Sequence, residues 1–371
     1  MIKILFFIES LAGGGAEKVL RTLVNNMDSS RFDVTVQTLF PEDRDRYTAK
    51  HVKYRSTYPK KTAAAELMMR AEAALGLTYP MRIKGDYDIE AAYLECGATK
   101  IMAGSTNKRA LKLAWVHCDL AKKTDAPAAF VRKTAGYYRK FDKVVCVSEG
   151  VRRSFAKMYG DGVKTDVLHN AVDSGEILSK ARESLPQGIV KKGLTAVAVG
   201  RLSEQKSFMR LLRVHKELAD NGIRHDLWIA GEGPEREKLQ TYIDENKLND
   251  SVKLLGFLEN PYSVMRTADV LVCSSLYEGF STFVTEGLIL GKPVVTTDCT
   301  GMRELLGDSE YGLITENSED GLYSGLKRML TDTALREKYE NAAAVRGRDF
   351  SVTAIVRETE NYLEQTLKEK N

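Results

Sequence analysis

The amino-acid sequence predicts an α/β protein made of two doubly wound parallel-sheet domains. Three observations lead there. Short apolar runs alternate with longer stretches of helical periodicity along nearly the whole chain, the pattern of strands followed by crossover helices. At 371 residues the chain is long for a single hydrophobic core. Residues Ser174–Gly193 are polar, charged and interrupted by Pro186, Gly188 and Gly193, which is the composition of an inter-domain linker. The expected boundaries are residues 1–172 for the first domain, 173–192 for the linker and 193–351 for the second domain.

The first domain opens with a strand at Ile2–Ile8, then Gly13-Gly14-Gly15 and a helix from about Ala16 to Met27. Strand, glycine turn and helix in that order let backbone N–H groups approach a phosphate; a plain tight turn reads equally well. A dinucleotide fingerprint is absent. The sixth position of G-x-G-x-x-G would be Lys18, and the second strand, Val34–Leu39, ends at Phe40 without a ribose-binding acid. Further strands are expected at Ile89–Leu94, Leu111–Val116, Val144–Val147 and Val167–Leu168. His117 lies directly after Val116, at the strand end where ligands of such sheets bind, although a lone histidine is more often structural. Asp86-Tyr87-Asp88 precedes its strand instead of following it, so solvated loop carboxylates are expected there and no metal.

In the second domain, strands are expected at Thr195–Val199, Asp226–Ala230, Val252–Leu255, Val270–Cys273 and Val294–Thr297. Helices fall near Ser207–Asn221, Glu235–Asn246, Ser281–Leu290, Gly321–Leu330 and Leu335–Gly347. The final stretch, Val352–Lys368, is an amphipathic helix. Gly200-Arg201-Leu202-Ser203-Glu204-Gln205-Lys206 closes the first of these strands, which sends Arg201 and Lys206 to the ligand-binding edge of the sheet. Two fixed cations there can hold a diphosphate. The run from Leu271 to Thr297 is the richest in chemistry. Glu278 lies in a turn after the strand, Ser281 is the expected N-cap, and Glu286 lies about one turn into the following helix. A helix start suits phosphate or hydroxyl oxygens, and a carboxylate accepts from two neighbouring hydroxyls at once. An isolated glutamate pair at this spacing is more often a surface turn and an ordinary helix-face acid.

The surroundings of that pair resemble the donor site of family 4 retaining glycosyltransferases (glycosyl transferases group 1). Glu278…Glu286 matches their E-x7-E motif, with Gly-Phe-Ser and Gly-Lys-Pro-Val-Val flanks in place. The resemblance extends over most of the chain and implies the GT-B fold, two Rossmann-like domains facing across a cleft. It also implies that the last helix returns to the first domain, which would then comprise residues 1–172 plus 352–371 and bind the acceptor, while residues 193–351 bind the nucleotide-sugar. On this resemblance Arg201 and Lys206 hold the diphosphate, Glu286 the ribose and Glu278 the hydroxyls of the transferred sugar. The N–H groups of Phe280, Ser281 and Thr282 fix sugar or phosphate oxygens. Glu232, in Gly231-Glu232-Gly233-Pro234, lies near the nucleotide, and Gly256-Phe257 receives the base. Gly14 and Gly15 lie between donor phosphates and acceptor, and His117 stands near the transferred sugar.

The implied activity is transfer of a hexosyl unit, with retention and without a metal or other cofactor, from a nucleotide-sugar, a UDP-sugar foremost, to a saccharide or lipid-linked saccharide. Two rivals are a nucleotide-sugar epimerase of the same fold and a non-catalytic sugar-binding protein. The five cysteines form no C-x-x-C, which fits reduced thiols in a cytoplasmic protein. No apolar run is long enough to span a membrane. Charge divides unevenly: residues 1–172 carry 29 Lys and Arg against 19 Asp and Glu, and the remainder 26 against 32. Residues Asn107–Lys143 alone hold ten basic residues and three acids, interleaved with Trp115, Phe130, Tyr137 and Tyr138. Together with the Ala/Leu/Met-rich stretch Thr62–Leu77, they fit either an anionic membrane face or a core-packed helix beside a solvated basic one. No nucleic-acid module accompanies this charge, so no nucleic-acid partner is expected.

Overall fold

The computed structural model describes residues 1–160 and 162–370; Asp161 and Asn371, both within the expected first domain, lie outside the described residues. The chain divides into two units, Met1–Ala171 with Val352–Asn371, and Val172–Ser351. Unit 1 holds β1 (Ile2–Phe7), β2 (Phe32–Thr38), β3 (Lys53–Ser56), β4 (Ile89–Ala92), β5 (Leu111–Val116), β6 (Lys143–Cys146) and β7 (Thr165–Val167). They form one parallel sheet in the order β3-β2-β1-β4-β5-β6-β7. Ile4 is flanked in register by Val34 and Ile89. Ile4 to Phe7 are all buried, as a central parallel strand covered by helices on both faces requires. β3 carries the polar sequence KYRS on the sheet's edge, half-exposed, so it gives no apolar signal and is missing from the expected strands.

Unit 2 holds β8 (Thr195–Val199), β9 (Asp226–Ala230), β10 (Val252–Gly256), β11 (Val270–Cys273), β12 (Val294–Thr297) and β13 (Leu313–Thr315), in the order β10-β9-β8-β11-β12-β13. All pairings are again parallel. The helix Phe208–Asp220 shows how sequence becomes core: Phe208, Leu211, Leu212 and Leu218 recur at helical spacing and pack with Ala196, Ile229 and Val272. That helix also buries His215, whose Nδ1 lies 2.9 Å from His225 Nε2 and whose Nε2 lies 2.9 Å from Ser251 Oγ.

Two segments complete the units. Within 173–192, Ser174–Lys180 is a helix, capped by Asp173, which accepts from Glu176 N at 2.9 Å. Ile177 anchors it by burial, and Asn260 Nδ2 donates to Lys180 O at 2.9 Å, so this part of the expected linker is folded onto unit 2. The helix Val352–Lys370 packs on unit 1, where Arg31 pairs with Glu360 at 2.8 Å and Glu364 at 3.0 Å.

In each sheet the strand order reverses once, at β1/β4 and at β8/β11. A crevice opens at such a point because the connections on its two sides leave in opposite directions, and ligands of doubly wound sheets bind there.

Candidate functional site

Backbone shapes the carboxyl edge of unit 2 before any side chain does. Gly200 N donates to Ala230 O (3.0 Å), Leu202 N to Glu232 O (2.9 Å) and Gly231 N to Gly256 O (2.8 Å), so the turns after β8, β9 and β10 lock into one another. Such contact leaves no room for a side chain. A Cβ on Gly231 (φ +147°) would lie 1.9 Å from Gly200 O, and one on Gly301 (φ +83°) 2.0 Å from Gly279 O. Gly301 thereby sets the height of the loop that carries Glu278.

Lys206 and Glu278 meet across the β8/β11 reversal, with Nζ 2.6 Å from Oε1. After β8 the chain makes a single 3-10 turn, Glu204–Lys206, and Ser207 then adopts a left-handed φ of +51° before the next helix begins. Three bonds stitch this turn to the loop after β11. Leu276 N donates to Gln205 O (2.8 Å), Gln205 Nε2 to Tyr277 O (3.0 Å) and Ser274 Oγ to Lys206 O (2.7 Å). Ser275 Oγ adds a second donor to Glu278 Oε1 at 2.6 Å. Below, Thr297 Oγ1 and Cys299 Sγ both donate to Ser275 O, at 2.6 and 3.0 Å. Burial works against the Lys206 charge, but the Glu278 carboxylate beside it outweighs this and raises the ammonium pKa above its ordinary value. Buried Arg210 bonds Ser274 O at 2.5 Å and Asn317 Oδ1 at 2.9 Å, supporting the loop from beneath.

The helix Thr282–Ile289 starts beside this pair, with Ser281 as its N-cap accepting from Val284 N. Phe280 and Ser281 are buried, and so is Glu286, whose Oε1 accepts from Tyr262 OH at 3.3 Å. Arg201 is exposed at the end of β8. Glu232 pairs with Arg236 at 2.8 Å. Gly256 ends β10 with φ +73°, and Phe257 beyond it is 62% exposed, a bare aromatic face at the sheet edge. Lys206, Glu278, Phe280, Ser281, Thr282 and Glu286 are thus brought together around one reversal point, with Arg201, Glu232, Gly256 and Phe257 on the neighbouring strand ends.

His117, Gly14 and Gly15 belong to unit 1, at the carboxyl edge of its own sheet. Gly14 is the N-cap of the helix Gly15–Asn26. The His117 ring packs 5.0 Å from that of Tyr93, and its Nε2 is buried with no hydrogen-bond partner. Burial lowers the imidazole pKa to about 4, against the pull of Glu95 and the Tyr93 carbonyl, so the ring is neutral at pH 7.

Beneath it lies a cluster absent from the expected site. Buried Glu95 accepts from His117 N (3.0 Å), Cys118 Sγ (3.0 Å) and Lys123 Nζ (3.0 Å). Burial raises its pKa, yet Lys123 and these donors more than reverse that and hold it at about 2. Glu9, after β1, bonds the N–H groups of Ala98 and Gly97, joining the two sides of the β1/β4 reversal; burial nonetheless raises its carboxyl pKa. The placement of Glu9 and Glu95 just beyond apolar strands is the signal that could have marked them. Of the other acids, Asp88 Oδ2 accepts from Lys3 N at 2.8 Å, a capping role at the opposite edge of the sheet.

Two family models match the chain, Glycosyltransferase Family 4 over residues 13–176 and Glycosyl transferases group 1 over residues 179–346. The chain belongs to the family 4 (group 1) glycosyltransferases. Among curated relatives, the Campylobacter jejuni N-acetylgalactosamine-N,N'-diacetylbacillosaminyl-diphospho-undecaprenol 4-alpha-N-acetylgalactosaminyltransferase is 35% identical over 229 residues, 61% of each chain. The Rhizobium meliloti lipopolysaccharide core biosynthesis glycosyltransferase LpsD is 28% identical over 212 residues, 55% of this chain and 57% of that one. The matched region thus spans only about three-fifths of these relatives' length. The Erwinia amylovora amylovoran biosynthesis glycosyltransferase AmsD is 23% identical over 98% of this chain and 100% of its own. The fold is the GT-B fold of solved glycosyltransferases. Anabaena HepE, crystallised with UDP and glucose, superposes with a TM-score of 0.78 at 21% identity, covering 98% of this chain and 100% of that one. Sucrose-phosphate synthase from Thermosynechococcus elongatus gives 0.82 at 16% identity over the whole of both chains.

Proposed function

We propose that this chain transfers a hexosyl unit from a nucleotide-sugar, a UDP-sugar foremost, to a saccharide or lipid-linked saccharide in cell-surface polysaccharide or glycolipid synthesis. The observation that carries the reading is the Lys206–Glu278 pair, set across the β8/β11 reversal beside the start of the helix Thr282–Ile289. An ammonium and a carboxylate side by side suit the two halves of an activated sugar, a diphosphate and a set of hydroxyls. In this reading Lys206 and Arg201 stabilise charge that develops on the departing diphosphate. Glu278 accepts from the sugar hydroxyls, Glu286 from the ribose, and exposed Phe257 with Gly256 receives the base. Neutral His117 offers a hydrogen-bonding group at the carboxyl edge of unit 1. With no double-displacement nucleophile assigned, attack on the face the diphosphate leaves retains the anomeric configuration, and positioning supplies much of the rate. Family membership and the relatives' names support the reaction class; the UDP complexes of HepE support the choice of nucleotide.

The test pairs binding with product analysis. UDP-, GDP- and ADP-sugars are screened by thermal shift, and the stabilising donor is incubated with saccharide acceptors. A UDP-sugar raising the melting point most, followed by an α-linked product, is the expected result. Epimerised free nucleotide-sugar, or full turnover in both Glu278→Ala and Lys206→Ala, overturns the reading.

A further inference from the structure

The helix Ala63–Leu75 is oriented against its own composition. It buries Ala65 and Glu72, while Ala64, Leu67, Met68, Ala71 and Leu75, which recur at helical spacing, form an exposed stripe. Leu67 is 70% and Leu75 73% exposed, and Leu77 and Met81 extend the apolar surface into the next turn. The inverted orientation is held from below. Glu72 accepts from Tyr58 OH at 2.7 Å and pairs with Arg82 at 2.6 Å, which keeps its pKa below the usual carboxylate range and the helix locked apolar side out. A stripe of this kind facing water loses the hydrophobic stabilisation that burial would give it, so it marks a surface that something covers.

What covers it is indicated by the charge alongside. The end of this helix forms one lip of a groove of about 650 Å³ lined by Leu75, Lys100, Gly104, Lys112, Tyr137 and Lys140. Among the described residues, neither Lys100 nor Lys140 is paired with an acid. Lys112 is half-buried, and Lys140 and Lys370 crowd it with like charge. The acids closest to it are engaged: Asp142 holds Lys370 at 2.6 Å, and Glu90 accepts from Ser105 Oγ at 2.6 Å and Tyr79 OH at 2.5 Å. The groove lies at the amino end of the unit 1 sheet, where Lys112 is the second residue of β5. It is about 17 Å along that strand from His117 at about 3.3 Å per residue, so it is separate from the edge that carries Glu95.

We propose that this face, the apolar stripe with the lysine groove beside it, docks on an anionic phospholipid bilayer. The stripe enters the acyl boundary, and Lys100, Lys112 and Lys140 meet lipid phosphates, as an apolar helix face flanked by basic residues does at a membrane interface. Arg139, exposed beside Lys140 at the end of the helix Pro127–Tyr138, adds attraction toward the same surface. The proposal does not depend on the glycosyl-transfer reading, because none of these residues belongs to the donor site.

Flotation of the full chain with vesicles tests it, using phosphatidylcholine alone and an equal mixture with phosphatidylglycerol, with donor binding by thermal shift measured in parallel. Binding to the mixed vesicles is expected, falling about fivefold for each of Lys100→Glu and Lys140→Glu. Leu67→Ser with Leu75→Ser is expected to abolish it, while the melting temperature and its shift with UDP-sugar stay unchanged. Failure of donor binding alone tells against the proposed function and leaves the docking surface standing. Equal binding to both vesicle types, or unaltered flotation of these variants, overturns the docking surface. So does sedimentation showing a dimer that the leucine variants dissolve and that ignores vesicles.

Discussion

The two sheet edges solve the same problem with different materials. In unit 2 the strand ends are joined by backbone, with carbonyl and amide packed so closely that only glycine fits at 231 and 301. A single ion pair is then placed across the reversal. In unit 1 the edge is joined by charge: Glu95 gathers Lys123, Cys118 and the His117 amide, and Glu9 gathers the amides of Gly97 and Ala98. The first design fixes positions through excluded volume, whose cost rises steeply with displacement. The second fixes them through interactions that respond to pH and to the loss of one partner. On the proposed function, the unit 2 edge holds a donor in one geometry and benefits from the first.

The largest expected effect tests whether the ion pair of unit 2 acts in chemistry or only in architecture. Lys206→Ala is expected to lower kcat by about 10²–10³ with a donor that still binds, the scale of losing one preorganised charge-stabilising group. If stopped assays show only a higher KM, the lysine serves ground-state binding.

Next in size is the backbone lock. Gly301→Val places a branched side chain against Gly279 O at a positive φ and is expected to cost about 2–4 kcal/mol. The two tryptophans divide conveniently, Trp115 in β5 and Trp228 in β9, both buried. Single-tryptophan variants in denaturant therefore report each unit separately. The loss is expected in the Trp228 signal, and an equal shift at Trp115 would show that the two units do not unfold separately.

Acid sharpens the contrast further. His215, lowered to about 3 by burial and by His225, and His225, lowered by burial, are neutral in the folded protein. A histidine whose folded pKa is depressed contributes stability that is full above its unfolded value near 6.5 and is lost as pH falls toward its folded value. His117 in unit 1, lowered to about 4, acts in the same direction but singly. Glu95, also depressed, keeps its contribution down to its unfolded value near 4.5 and loses it toward about 2, on the order of 3 kcal/mol in all. Between pH 6.5 and 4.5 the Trp228 unit is thus expected to weaken more than the Trp115 unit. The smallest effect is Glu95→Gln, expected to destabilise the Trp115 unit at pH 7 by about 1–3 kcal/mol, by leaving Lys123 without its anion. The difference from the parent protein should vanish near pH 2; a pH-independent loss would assign Glu95 to packing alone.

These contrasts also explain what could be read in advance. The core strands β1, β5, β8 and β11 are continuous apolar runs and were legible to within a residue or two. β3 was not, because an edge strand needs no apolar face, and nor was β13, three residues of which only Leu313 is buried. The helix Ser174–Lys180 escaped notice because one buried residue, Ile177, anchors it. Glu278 and Glu286 were legible through their spacing and flanks, whereas the ion pair with Lys206 was not, since residues 72 positions apart meet only through sheet order. Glu9 and Glu95 carry no motif beyond their position after apolar strands; their burial and their partners, which a sequence does not display, give them their weight.

Lys206 and Glu278 satisfy each other across the reversal, so the charges of this pair offset one another. A bare phosphate offers nothing to the carboxylate it would displace, and a free sugar offers nothing to the ammonium. On the proposed function, a molecule bringing an anion and hydroxyls together exchanges both partners at once, so the pair would act as a two-key lock that disfavours partial ligands before any chemistry begins.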